Sequence, residues 1–260
     1  TVTGGRPSSA VDGEFRYNTT DKRVEYYDGS NWYQLSSSTV VPQSGTTTSC
    51  NYPTTASALF QFNDNLDNTC GGTAATSSGT SYGTGKFGKA ILFNGTSSYA
   101  TLPNSIGIPS GPWTVSYWFN TNSVTGEEPH MTTDWITGNY TLMIKTVGST
   151  LYVYGYTCAG SPCFTTQPIS ATTTIATGTW YHVALVINDV TSTSGVTLYV
   201  NGSSEATTTL SSGLCTSATN WLLGDEPGSQ HYDGYLDQVR FFNTALTASQ
   251  VNALYTETAP

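Results

Sequence analysis

The chain has 260 residues, 37% hydrophobic, 12% aromatic and only 10% charged, a size that suits one large β-domain plus a small extra piece. A net charge of −9 with eight Lys and Arg argues against tracking a phosphate backbone, so no nucleic-acid partner is expected. Long runs of Leu, Ala, Glu and Lys are absent, which argues against a helical bundle. No apolar run is long enough to span a bilayer, so no membrane insertion is expected. The start at Thr1 carries no signal peptide and reads as that of a mature or cut chain.

Residues 1–11 read as an extended lead-in, and residues 12–35 as three short strands. These are EFRY, a turn at NTTD, RVEYY, a turn at DGS, and WYQL. Asp28-Gly29 is a strong hairpin signal. Residues 36–55, rich in Ser and Thr with Pro42 and Pro53, have no periodicity and read as a linker.

From residue 56 onward short strand candidates recur at close spacing, from ALFQF through WTVSYWFN, YTLMIKT, LYVYGY, WYHVALVIN and VTLYVNG to GYLDQVRFF. Most alternate apolar and polar residues between Gly, Asn, Ser and Pro. This spacing predicts an all-β, antiparallel two-sheet jelly-roll sandwich. Trp180, Val183, Leu185, Ile187, Leu198 and Val200 are expected on the core side. In YLDQVRFF the apolar set Leu236, Val239 and Phe241 has one break, which marks a bulge. One short C-terminal helix is predicted in TASQVNALY, residues 247–255. Thr247 is its N-cap, Gln250 completes a capping box, Leu246 staples onto Val251, and Val251 with Leu254 faces the sheet.

Five cysteines leave at least one unpaired within the chain. Cys158 and Cys163 are separated by the turn sequence AGSP, and a bridge across the base of that loop is geometrically reasonable. Cys50 and Cys70 flank ALFQF and are placed to tie its ends together. Cys215 is then free, or displaces one member of these pairs. Five reduced thiols are the alternative. Without a C-x-x-C and with the three histidines far apart, zinc is not indicated.

Four segments, ALFQFNDNLDNTCGG, GKFGKAILFNGTSSYATL, GTWYHVALVIND with VTLYVNG, and DGYLDQVRFFNTALTASQVNALY, resemble in this order the concanavalin A-like, laminin G-type jelly-roll domains. The resemblance covers roughly residues 56–257, within a domain expected to run over 56–260. It implies the same sandwich and little about function, because the fold hosts lectins, glycosidases, adhesion modules and spacers. GEFRYNTTDKRVEYYDGSNWYQL resembles a short unit of bacteriophage tail fibres and other virion proteins. The matching residues are Gly13, Arg16, Tyr17, Asn18, Thr19, Glu25, Tyr27, Asp28, Gly29 and Trp32. Three short strands do not stabilise themselves. Packing Phe15, Tyr17, Val24, Tyr26 and Trp32 against symmetry copies would bury them, which points to a homotrimer. The alternative is that they pack on the chain's own jelly roll.

The laminarinase-type relatives on this fold carry Glu, Asp and Glu at i, i+2 and i+5, and no such triplet occurs here, so the chain is not expected to be an enzyme. Glu127 and Glu128 point to opposite sides if extended; before Pro129 they read as a loop, as do Asp225 and Glu226 before Pro227. His182 lies within a strand with no nucleophile or acid near it and reads as structural. The resemblance implies a structural calcium ion near NDNLDN, with Asn63, Asp64, Asp67 and Asp237 as ligands; an Asx-turn without metal is the alternative. Sugar sites on sandwiches combine an exposed aromatic with convergent Asp, Asn and Glu. Three loops offer these: Glu127, Glu128, His130, Asp134 and Trp135; Tyr156; and Asp225, Glu226, His231 and Tyr232. The expectation is a non-catalytic virion fibre protein, extracellular, attached by its N-terminal unit to other virion proteins and displaying the jelly roll toward a host-surface glycan. A secreted carbohydrate-binding or adhesion module and a decoration protein without ligand are the alternatives.

Overall fold

A computed structural model describes residues 15–18, 23–27, 30, 32–34, 49–133, 135–136, 139–164, 168–188, 195–215, 220–226 and 230–258. The chain divides into two compact units, Thr1–Thr47 and Thr48–Pro260.

The first unit is an antiparallel sheet of β1 (Phe15–Asn18), β2 (Arg23–Tyr27) and β3 (Trp32–Gln34), in that order. Its register sets Phe15 opposite Tyr26 and Tyr26 opposite Tyr33. Trp32 stands opposite Tyr27, one position out of phase with Tyr26. The side chains of Phe15, Tyr17, Val24, Tyr26 and Trp32, expected to pack together, lie outside the described residues. Glu25, opposite Arg16, is fully buried.

In the second unit the expected sandwich is present. One sheet has seven strands in the order β15 (Ile169–Ser170), β14 (Thr150–Gly155), β13 (Leu142–Val147), β10 (Glu127–Thr133), β19 (Trp221–Leu223), β8 (Tyr99–Thr101), β5 (Thr76–Ser78). The other runs β18 (Ser203–Thr209), β17 (Gly195–Val200), β16 (Tyr181–Ile187), β9 (Trp113–Thr121), β22 (Asp233–Phe242), β7 (Lys89–Asn94), β6 (Ser81–Thr84), with β4 (Ala58–Phe60) also pairing β22. Two small hairpins, β11 (Trp135–Ile136) with β12 (Asn139–Tyr140) and β20 (Asp225–Glu226) with β21 (Gln230–His231), complete the strands. All pairings are antiparallel.

The core between the sheets is built by alternation. β14 turns Leu151 and Val153 inward and leaves Tyr152 and Tyr154 outside. β16 is buried throughout because both its faces are covered. Tyr181, Val183, Leu185 and Ile187 enter the main core, while Ala184 and Val186 join Phe242 and Leu246 beneath α1 (Ala248–Thr256). That helix has the expected Thr247 cap with its Gln250 capping box, and it buries Val251 and Leu254. Trp180 is not a core residue. It is three positions from Val183, hence opposite in parity, and Tyr181 takes the inward place. The break in β22 is a bulge: the register shifts between Asp237 and Arg240, and Gln238 takes a left-handed φ of 52°.

Two of the expected boundaries change. Glu127 and Glu128 lie in a strand, not a loop; Pro129 is accommodated because the register shifts between it and Met131, and pairing with β19 begins only at Met131. Asp225 and Glu226 likewise form a strand. Cys50, in the one-turn 3₁₀ helix Ser49–Asn51 near the end of the expected linker, is bonded to Cys70. The second bridge joins Cys158 to Cys215, and Cys163 is the free thiol. The expected Cys158–Cys163 pairing fails for a topological reason. Cys158 sits at the exposed loop tip, whereas Cys163 is turned into the core.

Candidate functional site

The outer face of the seven-stranded sheet brings together polar groups from distant parts of the chain. β13 sends Leu142 and Ile144 inward and therefore Lys145 outward. Lys145 bonds the Glu127 carboxylate on the adjacent β10 and lies 3.2 Å from Glu226 Oε2 on β20. In the amide orientation that satisfies both carboxylates, Gln230 on β21 donates to Glu127 Oε2 at 2.9 Å and to Glu226 Oε2 at 3.0 Å. The Lys145 side chain is 7% exposed. Burial alone would lower the Lys145 ammonium; the bonds to Glu127 and the charge of Glu226 outweigh it and raise it above its ordinary value.

A tyrosine stripe runs beside this cluster. Tyr152 and Tyr154 are outward on β14 and half-buried, with ring centroids 6.3 Å apart, and Tyr156 follows at the same parity. The Lys145 ammonium is 5.4 Å from the centroid of the Tyr154 ring. Two aromatic faces therefore border a bidentate network of two carboxylates, one ammonium and one amide. Such a surface can stack on an apolar ring face while exchanging hydrogen bonds with hydroxyls.

Of the sequence candidates, Glu127, Glu226 and Tyr156 belong to this face. His231 Nδ1 lies 3.0 Å from Asp225 Oδ1 at its margin, where burial raises the Asp225 carboxyl and the ring opposes the rise. Three candidates point into the fold instead. Glu128, on the inner side opposite Glu127 as alternation requires, accepts the Asp233 amide at 2.8 Å and is raised by burial. His130 is wholly buried against Phe119, its Nδ1 3.1 Å from the Tyr117 hydroxyl; burial lowers it to about 3, so it is neutral. Tyr232 is fully buried beside Phe93. Asp134 and the Trp135 side chain lie outside the described residues. Lys145, Tyr152, Tyr154 and Gln230 were missed. The outward parity of LYVYGY was the signal for the tyrosines; Lys145 had none, because its partners are 18 and 81 residues away.

His182 is structural as expected, buried with Nε2 2.8 Å from Ser116 Oγ. The calcium candidates serve the chain's own backbone. Asn63 Oδ1 accepts the Lys89 amide at 2.8 Å, and Asp237 Oδ2 accepts the Phe87 amide at 3.0 Å. Both thus anchor the loop between β6 and β7. Asp237 Oδ1 has no partner but is sealed from solvent, while Asp64 and Asp67 are exposed. Among the described residues no three His, Cys, Asp or Glu side chains converge to hold a metal ion.

These sheets, with their capped helix and polar outer face, define a lectin-like jelly-roll sandwich. The profile of the concanavalin A-like lectin/glucanases superfamily matches residues 94–252, and the chain belongs to that superfamily. The fold is similar to domain 4 of an extracellular arabinanase from Geobacillus stearothermophilus, solved in complex with arabinotriose. Identity there is 23% and the TM-score 0.61, over 77% of this chain and 98% of that one. It is also similar to the receptor-binding domain of botulinum neurotoxin type G, at 13% identity and a TM-score of 0.57, over 77% of this chain and 50% of that one. The serotype D ligand-binding domain in complex with N-acetylneuraminic acid matches at 16% identity and a TM-score of 0.55, over 77% and 50%. The chain thus spans about half the length of the toxin domains it matches. A comparison with curated proteins gave no match.

Proposed function

We propose that the second unit is a non-catalytic carbohydrate-binding module whose site is the outer face of the seven-stranded sheet. The observation that carries this reading is the Glu127–Lys145–Glu226–Gln230 network set against the outward rings of Tyr152 and Tyr154. The ring faces stack on a sugar and the network orients its hydroxyls. That two similar folds were solved with arabinotriose and with N-acetylneuraminic acid supports the reading. The same network speaks against glycosidic cleavage, which needs one of two facing carboxyls to hold a proton; here an ammonium stands between them.

The test is calorimetric titration of the intact chain with a panel of neutral and sialylated oligosaccharides. Tyr154→Ala is expected to weaken binding by about 1–2 kcal/mol, roughly tenfold, with Lys145→Met as the polar counterpart. Binding unchanged by both variants overturns the assignment of the site to this face; binding absent with every glycan overturns the reading altogether and leaves a decoration protein without ligand.

The finer reading is that of a virion fibre protein, with the first unit as attachment and trimerisation element. It is supported by the Gly13–Trp32 motif. Weak sites would gain strength by trimeric display. Light scattering of the full chain beside a chain starting at Ser49 tests it: trimer and monomer support it, two monomers refute it. A secreted adhesion module is favoured by a different observation, the two disulfides, which persist in oxidising surroundings.

A further inference from the structure

The opposite outer face, on the eight-stranded sheet, carries its own aromatic and polar rows. β22, β9 and β7 lie side by side, and their register sets Tyr235 between Leu92 and Asn120, with Asp233 opposite Asn94. Asp233 and Tyr235 share outward parity, as do Asn120 and Asn122. Asn122 donates from Nδ2 to Asp233 Oδ1 at 2.8 Å, which fixes that carboxylate and leaves Oδ2 to accept from a ligand. Trp180, the tryptophan excluded from the core by its parity, packs 6.2 Å from the Tyr235 ring centroid. Trp180, Tyr235 and Leu92 are all half-buried, so none is sealed from solvent.

Gly83 on β6 explains how Tyr235 lies. A Cβ built there would stand 2.5 Å from Tyr235 Cε1 and 3.0 Å from its hydroxyl oxygen. Gly83 is not among the residues with left-handed φ, so the ring, not the backbone, is what excludes a larger residue. Neighbouring strands are about 4.8 Å apart, which puts β6 about 10 Å from β22 across β7. A tyrosine on β22 reaches that far only by lying down along the sheet. Its second ring face is then turned away from the protein, with Trp180 at one side and the Asp233 carboxylate one row along the strand.

We infer that this face is a second glycan site, with Tyr235 as the stacking platform, Trp180 as its flank, and Asp233 held by Asn122 as the hydroxyl acceptor. The inference rests on the carbohydrate-binding reading above and adds a second, separate site to it. Its ligand class is neutral sugars, because the polar groups set beside the platform are the Asp233 carboxylate and the Asn122 amide, on a chain of net charge −9. Sites on opposite sheets would let one module hold two glycan strands even as a monomer.

The experiment is titration of the intact chain with neutral trisaccharides, arabinotriose included, read by calorimetric stoichiometry and by Trp fluorescence. Two sites per chain are expected. Tyr154→Ala should leave one, and the fluorescence change that Trp180→Phe abolishes should survive it. Tyr235→Ala should remove the other site with at least a tenfold loss there. Gly83→Ala should do the same by lifting the ring, whose free end can swing out without disturbing the core, so it decides the matter if Tyr235→Ala folds poorly. A single site abolished by Tyr154→Ala and indifferent to Gly83→Ala and Tyr235→Ala refutes this inference and leaves the first site standing. No binding of any sugar to the unsubstituted chain refutes both.

Discussion

Replacing Asp237 by Asn should steepen the loss of stability in acid, although it removes an acidic group. Asp237 is fully buried; burial raises its carboxyl to about 7, against the pull of the Phe87, Gln238 and Lys86 amides. Such a group favours the folded state when protonated, so its contribution is complete below its unfolded value of 3.8 and is lost as pH rises through about 7. His130 and His182 act in the other sense. Burial lowers both to about 3, helped at His182 by the charges of Arg240 and Lys86. Their contribution is present above 6.5 and is lost as pH falls toward 3. Between about pH 7 and about pH 4.5 each histidine costs about 2–3 kcal/mol, while Asp237 returns about 3. The unsubstituted chain should lose about 2 kcal/mol from these three groups over that range, and Asp237→Asn about 5. Glu128 and Asp225, raised by burial, and Glu205, whose bonds from Thr172 and Thr173 outweigh burial and lower it, contribute equally to both proteins and cancel in the difference. Urea denaturation followed by Trp fluorescence at a series of pH values measures it. Parallel curves for the two proteins would refute the reasoning, because Asp237 would then ionise as it does in the unfolded chain.

Reduction should act through both bridges. Their loops span 20 and 57 residues, so chain entropy assigns about 3 kcal/mol to Cys50–Cys70 and about 4 kcal/mol to Cys158–Cys215. Urea midpoints of Cys50→Ser and Cys158→Ser read these, and a Cys158→Ser protein that bridges Cys163 to Cys215 at no cost would contradict the assigned pairing. The Cys163 thiol, which burial raises to about 12, should stay unreactive toward a disulfide reagent until the chain unfolds; rapid labelling of the native protein would place it at the surface. Calcium or a chelator should leave the Tm unchanged, since Asn63 and Asp237 spend oxygens on backbone amides; a rise of several degrees with calcium would restore the expected calcium site.

What the sequence revealed depended on how local the cause was. The α1 cap was legible because Thr247 and Gln250 satisfy each other within one turn. The bulge at Gln238 was legible because it breaks a period of two over a few residues. The opposite sides of Glu127 and Glu128 follow from adjacency alone. Lys145 was not legible, because its partners come from β10 and from the β20–β21 hairpin, neighbours only once the sheet order is known. The cysteine pairing was not legible for the same reason: spacing favours the near partner, whereas Cys215, 57 residues from Cys158, is brought beside it only by the fold, and Cys163 lies in the core. Trp180, expected on the core side by alternation, is three positions from Val183 and so falls on the other face; the inward row begins at Tyr181.

Both faces proposed for binding are made by the residues that alternate with the core, and this sets how recognition can change. Tyr152 and Tyr154 stand between Leu151, Val153 and Gly155; Tyr235 stands beside Leu236. Each outward ring is held by a backbone whose position the inward neighbours fix, so a sugar meets a preformed surface and little order is lost on binding. Inward and outward positions are also separable. An outward Tyr can be exchanged without opening a cavity, whereas the inward Val beside it cannot. The sandwich can therefore keep its core while its outer faces take on new ligands, which is why membership of the superfamily fixes the architecture of this chain and not what its outer faces bind.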